Sequence, residues 1–258
     1  MRWLGKLCIA SIYTALLAPV VLVIGASLTS GDYLQFPPNG LSLRWYEAML
    51  NDREMVGGLK ISLLVAVATV ALSVPIGALG AIYIDTLPRS RRAVVASLFL
   101  TPISVPLVLT GFALLVLFTK LELLNLSGLI IGHTVIAVPY VLRTALASLS
   151  LNDPAVPRAA AILGARPWKV LWHVTLPLLR PGLVSGGLFS LLTSFNNVAT
   201  SVFIAAPGDN PLPVVIFSRM DNLGEPSIAA ASATTIILTA LTCLLLEKRY
   251  ALFRSLGG

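Results

Sequence analysis

The sequence predicts an all-α integral membrane protein, and three features support this prediction. The mean hydropathy is +0.90. Hydrophobic residues make up 57% of the chain and charged residues only 11%. Several apolar runs exceed about 18 residues, the length that crosses a bilayer as a helix. Such runs must be helical, because a backbone N–H or C=O facing lipid has no water to bond and costs several kcal/mol when unpaired.

We predict one transmembrane domain over residues 1–258 with six helices. Their approximate bounds are 7–28, 61–84, 94–118, 129–149, 178–204 and 228–246. The first run follows a short basic stretch, as a signal peptide would. However, it exceeds the roughly 7 to 15 apolar residues of a signal-peptide core, and no clear small-residue cleavage site follows it. It is therefore predicted to be a membrane helix.

The distribution of charge predicts the orientation of the chain. The net charge of +7 would by itself suggest a nucleic-acid partner. With both termini on the cytoplasmic side, however, 13 of the 18 basic residues fall in inner segments and 5 in outer loops. The inner ones are Arg2, Lys6, Arg89, Arg91, Arg92, Arg143, Arg158, Arg166, Lys169, Arg180, Lys248, Arg249 and Arg254. The positive-inside rule thus predicts a multi-pass membrane protein with cytoplasmic termini and no nucleic-acid partner.

The longest predicted outer loop, residues 29–60, contains an amphipathic stretch. Leu43, Tyr46 and Leu50 recur there at helical spacing, and Trp45 and Tyr46 suit the headgroup level. The stretch predicts a short helix that is either an interfacial anchor or part of an outer gate or docking face.

A basic segment, residues 150–177, separates the fourth and fifth predicted helices. Asp153 followed by Pro154 is typical of a helix start, and Gly164 is a predicted helix end. A second short helix is predicted to begin near Pro167 and to end at Pro177, with Trp168, Leu171 and Trp172 on one face. The pattern predicts two short helices at an angle on the cytoplasmic surface. An interfacial amphipathic linker is the alternative interpretation.

The spacing in this basic segment resembles a known family motif. It reads Ala159-Ala160, three residues, Gly164, nine residues, Val174, one residue and Leu176-Pro177. It resembles the E-A-A-x3-G-x9-I-x-L-P loop of ABC importer permeases, in which a cytoplasmic coupling helix docks into a cleft of the ATPase subunit. TLPLLRPGLVSGGLFSLLTSF, SLRWYEAM and AAPGDNPLPVVIF look like the polyamine (spermidine/putrescine) branch of that family, so the resemblance covers most of the chain.

The resemblance implies the type I importer permease fold with a coupling helix. The residues that it assigns to ATPase coupling are Arg158, Ala159, Ala160, Gly164, Ala165, Pro167, Trp168, Leu176 and Pro177. It also implies that the chain is the permease subunit of an ATP-driven importer, moving a small polar solute from periplasm to cytoplasm by alternating access. The implied partners are two ATPase subunits, a second and homologous permease subunit, an extracytoplasmic substrate-binding protein and the lipid bilayer.

The chain carries no G-x4-G-K-[ST] phosphate loop, so it is predicted to bind no cofactor itself and not to be an enzyme. ATP and Mg²⁺ are expected on the partner ATPase subunits. Signatures of other membrane enzymes, such as H-E-x-x-H or G-x-S-x-G, are absent from the sequence, and no metal site is predicted.

Two positions depart from the family pattern. Arg158 stands where the motif has glutamate, so the ion pair of that glutamate cannot be transferred to this chain. Polyamine permeases commonly follow the Ser-Phe pair with an acidic pair, whereas this chain has Asn196-Asn197. A dication in a dry pathway gains most from carboxylates, so a monocation, a zwitterion or an aminophosphonate-like solute is favoured over spermidine.

The predicted translocation pathway is a polar stretch in the middle of the fifth helix. Its residues are Ser194, Phe195, Asn196, Asn197 and Thr200. Their polar groups are expected to bond solute or water, or, in the alternative, a neighbouring helix.

An ion-coupled secondary carrier working without an ATPase is the alternative function. Such carriers usually need ionisable groups inside the membrane. The predicted helices offer His133 and Arg143, and no Asp or Glu at mid-membrane depth. His133 is predicted to be a hydrogen-bonded packing residue, and Arg143 is predicted to extend towards the inner surface.

Overall fold

The structure is a computed structural model that describes residues 2–153, 155–220 and 225–250. Regular structure in this part of the chain is helical, apart from one antiparallel bridge between Thr29 and Leu41. The helices are α1 (Arg2–Ser27), α2 (Arg44–Asn51), α3 (Arg53–Thr86), α4 (Arg89–Ser104), α5 (Leu107–Leu121), α6 (Leu126–Leu151), α7 (Ala155–Ile162), α8 (Pro167–Val170), α9 (Leu176–Phe195), α10 (Ser201–Ile204), α11 (Leu212–Ser218) and α12 (Pro226–Tyr250). Pro154 and Arg254 lie outside the described residues.

Most of the predicted spans are found as long apolar helices, which confirms the all-helical membrane fold. Within the described residues, five helical stretches are long and apolar enough to cross a membrane. They are Gly5–Ser27, Arg53–Thr86, Leu126–Leu151, Pro167–Phe195 and Pro226–Tyr250. The bent pair α4 and α5 makes a sixth span if it is counted as one.

The predicted third helix, residues 94–118, is wrong as a single helix, because the structure divides it into α4 and α5 with a bend of 96°. Val105 at the break is extended, with φ −84° and ψ 130°. A residue that precedes a proline is pushed out of the helical region, and Pro106 has no N–H to continue the ladder. Pro106 therefore breaks this span, whereas α4 continues past Pro102 to Ser104.

The predicted fifth helix, residues 178–204, is also wrong, because it begins earlier and ends at Phe195. Nor does Pro177 end the short helix that begins at Pro167. Residues Leu171–Thr175 form a π-helical turn in which Leu176 N–H donates to Leu171 O, and α9 follows directly. The wider turn accommodates the missing N–H of Pro177. Pro167–Phe195 is thus one continuous helical stretch.

The short helix predicted in the outer loop is present as α2, and its buried residue is Met49. Leu43 and Leu50 are 68% and 65% exposed, whereas Met49 is 2% exposed. Tyr46 does face inward, because its hydroxyl lies 2.7 Å from Ser27 Oγ. The packed side of the helix therefore centres on Met49 rather than on the leucines.

The chain divides into two compact units. The first contains the chain up to Ile61 together with Asn210–Thr242. Its buried core is Met49, Met55, Leu212, Val215 and Ala231.

An ion cluster also belongs to this first unit. Arg219 donates to both carboxylate oxygens of Asp52, at 2.6 and 3.3 Å, and to Glu54. Asp52 Oδ1 also accepts the N–H groups of Glu54 and Met55, which caps α3. The Arg219 guanidinium holds the pKa of Asp52 below its usual value. The cluster thus stabilises the start of α3.

The second unit contains Ser62–Asp209 and the chain from Cys243 onward, and small residues let α3, α6 and α9 approach closely within it. A Cβ on Gly186 would lie 2.7 Å from Val141 Cα, and one on Gly182 would lie 2.6 Å from Thr144 O. Ser73 Oγ and Ser190 Oγ are 2.7 Å apart. This packing is typical of membrane helices, where small side chains permit backbone contact.

Candidate functional site

The basic segment begins with a capped helix and a glycine turn. Asp153 Oδ1 accepts Ala155 N–H at 2.8 Å, which supports the predicted cap. After α7, Gly164 N–H donates to Ala161 O at 3.0 Å and Ala165 N–H donates to Ala160 O at 3.1 Å. These two bonds form a Schellman motif, which requires a left-handed residue. Gly164 supplies it with φ +86°, so the predicted helix end is confirmed.

The chain then turns directly into α8. Pro167 occupies the start of that helix, where a missing N–H costs nothing. Trp168 and Trp172 lie one turn apart with ring centroids 5.3 Å apart, in an edge-to-face arrangement. Both tryptophans therefore lie on one face as predicted, but the second helix is not short, because it continues past Pro177 to Phe195.

Three large apolar side chains of the basic segment are exposed. Ile162, Leu163 and Trp168 are 86%, 87% and 67% exposed. They flank an open depression lined by Ala160, Leu163, Gly164, Ala165, Arg166 and Lys169. Arg158 is exposed as well and makes no ion pair within the described part of the chain. Large exposed apolar side chains beside basic groups are typical of a surface that binds a protein or a membrane.

The predicted pathway residues lie at an interruption of a helix rather than in its middle. Helix α9 ends at Phe195, and residues 196–200, here called the polar break, separate it from α10. Ser194, Phe195, Asn197 and Thr200 are buried. Asn196 is exposed, and its Nδ2 donates to Leu192 O at 3.1 Å. The structure thus brings all five predicted residues together, but at a break that was not predicted.

Asn197 organises the polar break. Its Oδ1 accepts Thr200 N–H at 2.9 Å, a local side-chain bond of the kind that replaces a backbone turn. Its backbone oxygen accepts the hydroxyl of Ser201 at 2.6 Å. Its Nδ2 is buried and has no partner among the described residues. One donor in the break is therefore left open.

Three residues that complete this site were not predicted to belong to it. His133 Nδ1 lies 2.8 Å from Ser194 Oγ, and His133 Nε2 lies 2.9 Å from Ser201 Oγ. Thr69 Oγ1 lies 3.4 Å from Ser194 Oγ. His133 is 2% exposed, which confirms its predicted role as a hydrogen-bonded packing residue. Its place as the only histidine in a predicted span was the available signal, but the sequence did not show its partners.

Two glycines allow neighbouring helices to reach the break. A Cβ on Gly111 of α5 would lie 2.9 Å from Thr200 Cα, and one on Gly132 of α6 would lie 2.5 Å from Ile204 Cδ1. Thr200 Oγ1 also donates to Leu107 O at 3.3 Å. The second half of the broken span therefore packs directly on the polar break.

Ionisable groups are sparse around both regions. In residues 2–153, 155–220 and 225–250, no group of three or more His, Cys, Asp or Glu is placed to hold a metal ion. The carboxylates of the described spans, Glu54, Asp85 and Glu247, lie in their end turns. The middle of the spans thus offers amides and hydroxyls rather than negative charge.

The apolar spans and the exposed basic segment define a multi-pass membrane protein, and the family match makes the assignment specific. Residues 73–253 match the family described as the binding-protein-dependent transport system inner membrane component. The chain belongs to this family. It is a permease subunit of an ABC importer in the inner membrane, and the systems of this family include separate ATPase subunits and a substrate-binding protein.

Similar sequences come from two kinds of transport system. The chain is 28% identical over 237 residues to the putrescine transport system permease protein PotI of Escherichia coli, covering 89% of this chain and 83% of the relative. It is 35% identical over 163 residues to the putative 2-aminoethylphosphonate transport system permease protein PhnV of Salmonella paratyphi A, covering 62% of this chain and 60% of the relative.

A solved structure shares the fold. A bacterial ABC transporter involved in the import of the acidic polysaccharide alginate aligns with a TM-score of 0.73 at 18% identity. The alignment covers 96% of this chain and 95% of that one. The predicted ABC importer permease fold is therefore confirmed.

Proposed function

We propose that the basic segment is where the ATPase subunits drive this permease. The observation that carries the proposal is the exposure of Ile162, Leu163 and Trp168 around the Gly164 turn. Burying three such side chains against a partner would stabilise the complex by several kcal/mol, at about 1.5–3 kcal/mol per fully buried large side chain. The coupling residues proposed are Arg158, Ala159, Ala160, Gly164, Ala165, Pro167, Trp168, Leu176 and Pro177.

The continuous helix Pro167–Phe195 supports a mechanical route from that surface to the polar break. One end of the helix lies in the basic segment and the other ends at Asn196. A displacement imposed on Trp168 would be carried along the helix axis to the break. Alternating access would then follow from a rigid-body movement that changes the break and the α5 residues packed on it.

The transported solute is proposed to be a small amino compound that also bears acceptor oxygens. A polyamine presents only N–H donors at neutral pH and is best matched by carboxylates, which the middle of the described spans lacks. Asn196 and Asn197 offer neutral dipoles instead, and the one unpaired atom at the break is a donor. An aminoalkylphosphonate, the substrate class named for one relative, fits this set better than putrescine does.

The assembly is proposed to contain two ATPase subunits, a second and homologous permease, and a binding protein on the outer side, with both termini of this chain in the cytoplasm. ATP and Mg²⁺ would be held by the ATPase subunits, and this chain would hydrolyse nothing. The asymmetry of basic residues supports the orientation.

Reconstitution of the complete complex in proteoliposomes tests the proposal. Uptake of 2-aminoethylphosphonate, putrescine and spermidine would be measured with the binding protein outside and ATP inside. The proposal expects ATP-dependent uptake, with 2-aminoethylphosphonate preferred. Preference for spermidine would overturn the solute class, and uptake driven by a proton or sodium gradient without ATP would favour the secondary carrier instead.

A further inference from the structure

One histidine bridges the two sides of the polar break. His133, on α6, contacts Ser194 in the last turn of α9 through Nδ1 and Ser201 at the start of α10 through Nε2, at 2.8 and 2.9 Å. The imidazole is rigid, so the distance between its two nitrogens sets the distance between the two serine hydroxyls. The ring therefore fixes how far the ends of α9 and α10 stand apart.

The surrounding hydrogen bonds assign the proton of this imidazole. Ser201 uses its only hydroxyl hydrogen to donate to Asn197 O at 2.6 Å. Towards His133 it can therefore only accept, so Nε2 carries the hydrogen. Ser194 Oγ lies 2.8 Å from Nδ1 and also donates to Thr69 Oγ1 at 3.4 Å. His133 thus donates to Ser201 on one side of the break and lies within hydrogen-bond distance of Ser194 on the other.

This arrangement uses every acceptor of Asn197 and leaves its donor open. The backbone oxygen is taken by Ser201, which His133 holds, and Oδ1 is taken by Thr200 N–H. The side chain of Asn197 is therefore held by its oxygen, while Nδ2 has no partner in the described structure. A buried amide without an acceptor costs about 1–3 kcal/mol, so it favours any group that brings an acceptor oxygen.

We propose that His133 is a positioning residue for solute selection, which holds the Asn197 amide so that its N–H group meets an acceptor oxygen of the solute. The inference rests on the proposed role of the polar break in translocation. Asn197 is 5% exposed, so the solute reaches it when the break moves during the transport cycle. An aminoalkylphosphonate supplies the acceptor, whereas a fully protonated polyamine supplies none.

A double-mutant cycle in the reconstituted complex tests this proposal. His133→Leu, Asn197→Ala and the double variant would be compared by the half-saturating concentration of 2-aminoethylphosphonate in ATP-driven uptake. Each single change is expected to raise that concentration about tenfold, the loss of one buried hydrogen bond. The double variant is expected to show about the same tenfold rise, because His133 acts through Asn197. If the fold-changes of the two single variants instead multiply in the double variant, the proposal is overturned.

Smaller variants guard against a simple folding defect. Ser201→Ala removes one arm of the bridge and should raise the half-saturating concentration in the wild-type background but not in the Asn197→Ala background. Ser190→Ala is the matched control: Ser190 lies on α9 like Ser194, and its loss breaks the buried pair with Ser73 of α3 while leaving the break untouched. His133→Gln retains an amide donor towards Ser201 and should restore part of the affinity lost in His133→Leu.

The outcomes separate this inference from the proposed function. If Asn197→Ala alone leaves the half-saturating concentration unchanged, the break is not the solute site, and both the proposed solute site and this inference fail. If Asn197→Ala acts while the His133 and Ser201 effects multiply with it, the break stays the solute site and only the role of His133 is refuted.

Discussion

The basic segment and the polar break lie at opposite ends of one continuous helix, yet their side chains differ: apolar ones are exposed in the first, and polar ones are buried in the second. In the basic segment the backbone bonds are closed by the Gly164 turn, while Ile162 and Leu163 remain more than four-fifths exposed, at 86% and 87%. In the polar break Asn197 and Thr200 are buried while Asn196 is exposed. The hydrogen bonds of the buried residues and of the flanking serines are made to α5, α6 and one another.

Under the proposed function, the basic segment is the region that needs another protein. Exposed apolar side chains on a rigid turn gain free energy only when a partner covers them. A buried polar network instead specifies one conformation, because each donor and acceptor loses energy if the arrangement slips. Three variants test this difference between the two regions, and a fourth tests the ion cluster outside them.

The largest effect is expected from Gly164→Val. A β-branched residue at φ +86° is strained by about 1–3 kcal/mol, so the turn between α7 and α8 should change shape. ATP-driven uptake in proteoliposomes should fall at least about tenfold while ATP hydrolysis continues. Gly164→Asn should be tolerated, because asparagine adopts a left-handed conformation. Gly57→Val is the control, since Gly57 has equally open surroundings and no positive φ. Normal coupling of ATP hydrolysis to uptake in Gly164→Val would contradict the proposed mechanical role of the turn between α7 and α8.

A somewhat smaller effect is expected when the exposed apolar surface is made polar. Ile162→Ser combined with Leu163→Ser removes two large apolar contacts, worth about 1.5–3 kcal/mol each if fully buried by the partner. The amount of ATPase that co-purifies with the permease should drop severalfold. Leu41→Ser, at a leucine that is 79% exposed outside the basic segment, should leave it unchanged. Equal recovery of ATPase with the wild type, the double serine variant and Leu41→Ser would show that the exposed surface of the basic segment is not a docking site.

The polar break is expected to respond in transport and not in assembly. Asn196→Ala combined with Asn197→Ala should reduce uptake of 2-aminoethylphosphonate about tenfold, because the amide contacts to solute are lost. The ATPase should co-purify in the normal amount. Thr239→Val is the matched control, since Thr239 Oγ1 is also buried without a partner but lies far along the chain from the break. Unchanged uptake in the asparagine variant would remove the break from the pathway.

The smallest effect is expected at the ion cluster around Arg219, which neither proposal uses. Asp52→Asn should lower the thermal unfolding midpoint in detergent by about 2–4 °C at pH 7, corresponding to about 1 kcal/mol. The pKa of Asp52 is lowered in the folded chain, so its contribution is complete above the ordinary value of 3.8 and is lost as pH falls through the folded pKa. The difference between wild type and variant should therefore shrink below about pH 4, and a difference independent of pH would contradict the assignment.

The sequence predicted best where the signal was local. The A-A-x3-G spacing located the Gly164 turn, because a Schellman motif is made by six consecutive residues and needs one with positive φ. The span count also followed from hydropathy, since bilayer thickness alone sets the length of an apolar helix.

Prediction failed where distant contacts decide the structure. Because apolar residues flank Asn196-Asn197 on both sides, the sequence predicted one helix over residues 178–204. In the structure the helix is interrupted at residues 196–200. The bonds that stabilise the break come from His133 on α6, which lies 61 and 68 positions before Ser194 and Ser201 in the sequence. Similarly, the buried face of α2 follows from the packing of Met49 against Met55, Leu212 and Val215, which no periodicity within α2 contains.

Cysteine accessibility at Leu163 tests the central claim most directly. In a background with Cys8→Ser and Cys243→Ser, a single Leu163→Cys would be labelled with a water-soluble maleimide, first in the isolated permease and then in the complex with its ATPase subunits. The exposed side chain predicts rapid labelling of the isolated permease. Labelling should slow at least about tenfold in the complex if the ATPase covers the basic segment. Equal labelling rates in the two states would contradict the account.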